Sequence, residues 1–121
     1  MARRPSVRAG MPWAVVGTVL LALSACSPEK TPEQSMDAAA THLQRSETAA
    51  ALIEARNALQ RNPDLPRARY LLGMGLFASG DSTGAEAALR KALASGHSAD
   101  ETVPALARVM LVLKQFQPLI D

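Results

Sequence analysis

The chain is expected to be all-α, a solenoid of short helical hairpins set behind an N-terminal export leader. Three observations lead there. Ala and Leu dominate the 121 residues and β-branched residues are sparse, which favours helix over strand. The apolar positions fall in short segments separated by tight Pro- and Gly-bearing breaks. Residues of matching size then recur every 34 positions. One domain is the most that this length allows.

Residues 1–25 read as a leader in three parts. Arg3, Arg4 and Arg8 make a basic start, Met11 to Leu23 an apolar core, and Ser24-Ala25-Cys26 a small-residue junction. The rival reading is a membrane-spanning anchor. A span needs about 20 apolar residues, and this core is shorter and opens on Pro12, so length favours a cleaved signal. Leu23-Ser24-Ala25-Cys26 resembles the lipobox of bacterial lipoproteins. That resemblance implies a diacylglycerol thioether on the Cys26 sulfur, cleavage just before it, and acylation (palmitate or a similar chain) of the new amino terminus. Cys26 then serves attachment, which accounts for a lone cysteine in an exported chain. Two or three acyl chains, each buried CH₂ contributing about 0.8 kcal/mol, hold a protein stably on a bilayer. Ser27 in the position after the cysteine resembles an outer-membrane signal, with the chain facing the periplasm. Residues 26–31, the lipidated cysteine and a polar, Pro28-bearing stretch, read as a flexible tether.

The leader also explains the charge. The formal net charge is +2, which by itself invites a nucleic-acid or membrane-surface reading. The first acid is Glu29, so residues 1–25 carry three arginines and no acid. The mature chain keeps 10 basic and 11 acidic groups, for a net charge of −1. With aromatics at 3%, stacking platforms for bases are lacking, and no nucleic-acid partner is expected.

Five helical segments follow, over 32–45, 47–61, 66–79, 82–95 and 102–114. Thr31 caps the first, with Pro32 in its opening turn and Gln34 completing a capping box. Asn62-Pro63 and Pro66 bracket the second break. Gly80 suits a left-handed C-terminal cap and Asp81 or Ser82 starts the fourth segment. Ser95-Gly96 closes that segment. Pro104 would break a helix begun at Ser98 but is harmless in the first turn if Thr102 is the cap, so Thr102 is taken as the start.

The unit from Pro66 to Ala99 contains Leu72-Gly73, Leu76, Gly80, Ala85, Leu89 and Ala92. Thirty-four residues earlier stand Ala51, Ala55 and Ala58 in place of Ala85, Leu89 and Ala92. Thirty-four later stand Leu106, Ala107 and Met110 in place of Leu72, Gly73 and Leu76. Gly73 and Ala85 are small where two helices must cross, Leu72 and Leu89 fill the space around the crossing, and Ala92 lets the next unit stack. These spacings resemble the tetratricopeptide (TPR) repeat, although Arg69 stands where that pattern usually has Trp. The units run 32–65, 66–99 and 100–121. The last is incomplete: Pro118-Leu119-Ile120 would begin its second helix. About two and a half repeats therefore read as the front of a longer protein, or as an open end that pairs with itself or a partner.

The segments Asn57–Leu65, Ala68–Gly73, Gly80-Asp81, Gly84–Glu86, Leu89–Leu93, Gly96–Asp100 and Val103–Arg108 further resemble the N-terminal region of the TPR-repeat lipoproteins of PEP-CTERM/exosortase systems. That resemblance implies a scaffold for protein–protein contacts in exopolysaccharide production, export or surface-protein sorting. A TPR lipoprotein of outer-membrane or pilus assembly is the alternative. A small periplasmic hydrolase is a remote one.

No catalytic or phosphate-binding motif is present, and Gly73-Met74-Gly75 lies inside a helical segment. His42 and His97, the two imidazoles, lack metal-ligand spacing. No metal, cofactor or small-molecule substrate is expected, nor an enzymatic role. A binding surface, if there is one, is the concave face lined by the first helix of each unit, with Arg67, Tyr70, Met74, Phe77 and Arg108 pointing toward it by spacing. Equally, Tyr70, Met74 and Phe77 could be packing residues against a neighbouring unit.

Overall fold

A computed structural model of the chain describes residues 28–116. The leader, Cys26 and the Pro118–Ile120 segment lie outside these residues. The described chain forms five helices and no strand: α1 (Pro32–Gln44), α2 (Thr48–Arg61), α3 (Pro66–Ala78), α4 (Ser82–Ala94) and α5 (Ala99–Phe116). Successive helices pack on one another in chain order, and α1 also touches α3 and α3 touches α5. The first helices of the hairpins therefore lie side by side, as a helical-hairpin solenoid requires.

The 34-residue spacing recurs in the backbone. Pro32 and Pro66 open α1 and α3 at that separation, and Thr48 and Ser82 open α2 and α4. Ser46 and Gly80, again 34 apart, both take positive φ, at 60° and 91°. Each sits in the same closing pattern. Glu47 N donates to His42 O (2.8 Å) as Asp81 N does to Leu76 O (2.9 Å). Gly96, at φ 98°, ends α4 in that way too, with His97 N donating to Ala92 O (3.0 Å). Such left-handed closures satisfy carbonyls that a helix end would otherwise strand.

The starts follow the sequence closely, with one correction. At α1, Gln34 N donates to Thr31 Oγ1 (3.2 Å) and Thr31 N to Gln34 Oε1 (2.9 Å), which is the capping box. At α4, Asp81 Oδ1 accepts from Gly84 N (2.8 Å). At α5, the expected start at Thr102 is wrong: the helix already runs from Ala99. Thr102 N and Thr102 Oγ1 both donate to Ser98 O, at 3.0 and 2.7 Å, so Thr102 lies a full turn inside and its side chain is buried. Pro104 is accommodated because the carbonyl that its absent N–H would have served belongs to Asp100, in the exposed first turn, where water can serve it.

Two apolar clusters hold the hairpins together. One gathers Met36, Ala39, Ala55, Ala58, Ala68 and Leu71. The other gathers Ala85, Leu89, Ala105, Leu106 and Val109. Both are rich in alanine, so the helices approach closely and dispersion contacts form along seams rather than around large side chains. Leu89 and Val109 are the largest apolar side chains in full burial.

The polar stretch ahead of α1 is held along Glu29-Lys30. Lys30 pairs with Glu54 and Glu29 with Arg61, both partners lying on α2. The expected free tether is thus tied to the second helix over these two residues.

Candidate protein-binding face

Helix α3 is central to the structure because it must pass between α2 and α4. Two glycines make that possible. A Cβ at Gly73 would stand 2.7 Å from Leu89 Cγ on α4, and one at Gly75 would stand 2.8 Å from Leu52 Cδ2 on α2. On a helix, positions two apart face nearly opposite ways, so each glycine clears one neighbour. The expected repeat positions behave accordingly. Gly73, Ala85 and Ala92 are buried, and Leu72 is half-buried against the first cluster. Gly75 was not singled out by sequence reasoning. Its signal was available as a second helix-interior glycine, a residue that costs helix stability unless packing requires it.

The face formed by α1, α3 and α5 carries the five residues expected to bind a partner, in different settings. Arg67 is exposed but engaged: its Nη1 donates to Asp37 Oδ1 at 2.8 Å, joining α3 to α1. Tyr70 is half-buried, and its ring stacks on that of His97 with centroids 4.5 Å apart and planes 22° from parallel. Burial, and after it the Glu101 carboxylate, push the Tyr70 hydroxyl above its ordinary value, while the Arg108 guanidinium opposes them. Met74 and Phe77 are half-buried and pack on the second cluster, whose members lie on α4 and α5. Arg108 is exposed on α5. Tyr70, Glu101 and Arg108 thus share one electrostatic neighbourhood at the α3–α5 seam, whereas Met74 and Phe77 contribute to the apolar cluster.

Both histidines have local structural roles. His42 Nδ1 lies 2.5 Å from Glu47 Oε2 across the α1–α2 turn. His97 Nε2 is 2.8 Å from Glu101 Oε2, a close polar contact that lacks the alignment of a hydrogen bond. Among the described residues, no group of three or more His, Cys, Asp or Glu side chains could hold a metal ion.

Arg69, the departure from the repeat pattern, takes on a specific task. Its Nε and Nη2 donate to Pro63 O at 3.0 and 2.7 Å, tying the α2–α3 turn to α3. Its stem helps line a groove of about 310 Å³ between α2, α3 and α4, floored by Leu59, Leu72, Leu76 and Ala88. No helix of the described residues is long and apolar enough to cross a membrane. No protein-family model matches the chain, nor does any curated protein or solved structure.

Proposed function

We propose that this chain is a lipid-anchored TPR-like scaffold of the cell envelope. It is attached through Cys26, faces the periplasm from the outer membrane, and holds partner proteins of an exopolysaccharide or PEP-CTERM exosortase system. The observation that carries this reading is the junction Leu23-Ser24-Ala25-Cys26, followed within a few residues by helical hairpins that repeat at 34-residue spacing. The lipobox resemblance supports the anchor. The side-by-side first helices support a binding face, since helical repeats present such extended surfaces to partners. The wider resemblance to exosortase-system lipoproteins supports the pathway.

On this reading, the contact region is the Tyr70–Arg108 neighbourhood with the flank of α5. The apolar parts of Tyr70 and the flanking charges of Glu101 and Arg108 suit a protein segment better than a small molecule. A photo-crosslinking residue in place of Arg108 tests it in the native strain. Specific adducts are expected, and they should vanish when the exosortase and polysaccharide genes are deleted. An unchanged adduct pattern in that deletion strain overturns the pathway. Replacing Cys26 with Ser should abolish labelling by radioactive palmitate, and continued labelling overturns the anchor.

A further inference from the structure

The stretch ahead of α1 takes the place that the α2–α3 turn takes one unit later. Around that turn, Pro63, Arg69, Ala88 and Lys91 help line one groove. Thirty-four residues earlier stand Glu29, Ser35, Glu54 and Asn57, and these four help line a second groove, of about 370 Å³. Glu29 is therefore the counterpart of Pro63, and Lys30 of Asp64.

The two places are held by different contacts. At the turn, Arg69 donates to the Pro63 carbonyl. Ahead of α1, Lys30 pairs with Glu54 and Glu29 with Arg61. The Glu54 side chain is only 12% exposed. Its Oε2 is buried with no hydrogen-bond partner among the described residues. A carboxylate in such a setting is costly to leave unpaired, so Lys30 is the group that compensates it. Glu29-Lys30 is thus a docked strap, seated where a preceding repeat would put its turn, at the end of the row remote from α5.

Cys26 lies three residues ahead of Glu29, and three residues reach at most about 11 Å. Fixing Glu29 on Arg61 therefore keeps the Cys26 sulfur close to the C-terminal end of α2. We infer that the strap orients the molecule on the bilayer. The first hairpin rests at the lipid surface, and the row α1, α3, α5 runs away from it. Packed neighbouring helices lie about 8–10 Å apart, so α5 stands well clear of the headgroups. The surface beside the strap meets lipid, because the chain left between Glu29 and an acylated sulfur is too short to admit a protein layer. This orientation rests on the proposed lipid at Cys26; the docking of the strap does not.

The strap is tested first, in the full chain in mild detergent. Lys30→Met should lower the melting temperature, followed by circular dichroism, by several degrees. In a Glu54→Met background the same change should have little effect, since no buried carboxylate then needs a partner. Equal losses in both backgrounds would overturn the strap. Orientation is read on the lipidated chain in vesicles of phosphatidylethanolamine and phosphatidylglycerol that carry a headgroup spin label. A fluorophore on Arg56→Cys, exposed on α2, should be quenched several-fold more than one on Arg108→Cys, exposed on α5. Cys26, as a thioether, does not compete for the label. Glu29→Ser, Lys30→Ser and Glu54→Gln together free the strap and remove the buried charge with its partner. They should bring the two quenching values together while helical circular dichroism is kept. Equal quenching at both sites of the intact chain, or a difference that survives this triple change, would overturn the orientation. The intact mass of the same sample separates this from the anchor. A missing diacylglyceryl group overturns the anchor and the orientation with it, whereas the Lys30–Glu54 coupling stands or falls alone.

Discussion

Gly73 and Gly75 differ in what a methyl group would meet. At Gly73 the new carbon would press on Leu89 Cγ and Cδ2 and come within 3.3 Å of the Leu89 backbone nitrogen. Leu89 is fully buried and cannot swing aside. At Gly75 the nearest atom is the end of the half-buried Leu52 side chain, whose backbone nitrogen is 4.0 Å away. Ala also gains about 1 kcal/mol of helix propensity over Gly. Gly73→Ala should therefore lose about 1–3 kcal/mol to overpacking, whereas Gly75→Ala should be near neutral. Thermal melts of the two variants check this, and equal losses would contradict the account. Tyr70 sets a second expectation. Its hydroxyl is raised above 10.0 in the folded chain, so the unfolded chain ionises first as pH rises. The stability it contributes is present below that value and declines above it. Tyr70→Phe should flatten the fall in melting temperature above about pH 10. Of these residues, Gly73 was readable from the repeat register. The pairing of Tyr70 with His97 was not, because it joins a helix to a turn 27 residues away, and no local pattern encodes it.

At the scale of the element, four of the five helices were legible to within about one residue, because their ends are written in local chemistry: a capping box at Thr31, a proline at 66, an aspartate cap at 81 and glycines at 80 and 96. The fifth was misplaced at its start because Pro104 reads as a helix breaker. The competing fact, that the carbonyl it orphans lies in an exposed first turn, depends on tertiary placement. The α1–α2 turn is the counterpart of the α3–α4 turn with Ser46 where Gly80 stands, and it too uses positive φ. An L-residue in that region costs about 1–2 kcal/mol, part of which glycine would return as chain entropy. Ser46→Gly should stabilise the fold by about 0.5–1 kcal/mol, raising the melting temperature by a few degrees. A fall on calorimetry would show that the two turns are not equivalent. The stretch before α1 was expected to be free, and its ion pairs to Glu54 and Arg61 were invisible in sequence because both partners lie more than 20 residues away.

For the whole molecule, the arrangement is a row of hairpins joined by alanine seams, with α3 threaded between its neighbours and the first helices lying along one side. Small residues at the crossings let the row close up, and the 34-residue spacing seen in both sequence and backbone makes it periodic. The fold class was legible because periodicity and breaks act locally. The candidate face was only partly legible, because spacing places Tyr70, Met74 and Phe77 on one strip and leaves open whether they bind or pack, whereas the latter two lie against the α4–α5 cluster. What the proposed scaffold role adds is a location, and that rests on four residues ahead of the hairpins. The most direct measurement is the intact mass of the chain extracted from the membranes of cells that express the full sequence. The account predicts a 96-residue chain that begins at Cys26 and carries a diacylglyceryl group on its sulfur, with or without an amide-linked acyl chain. A chain that still begins at Met1, or one that begins elsewhere with an unmodified Cys26, would contradict it.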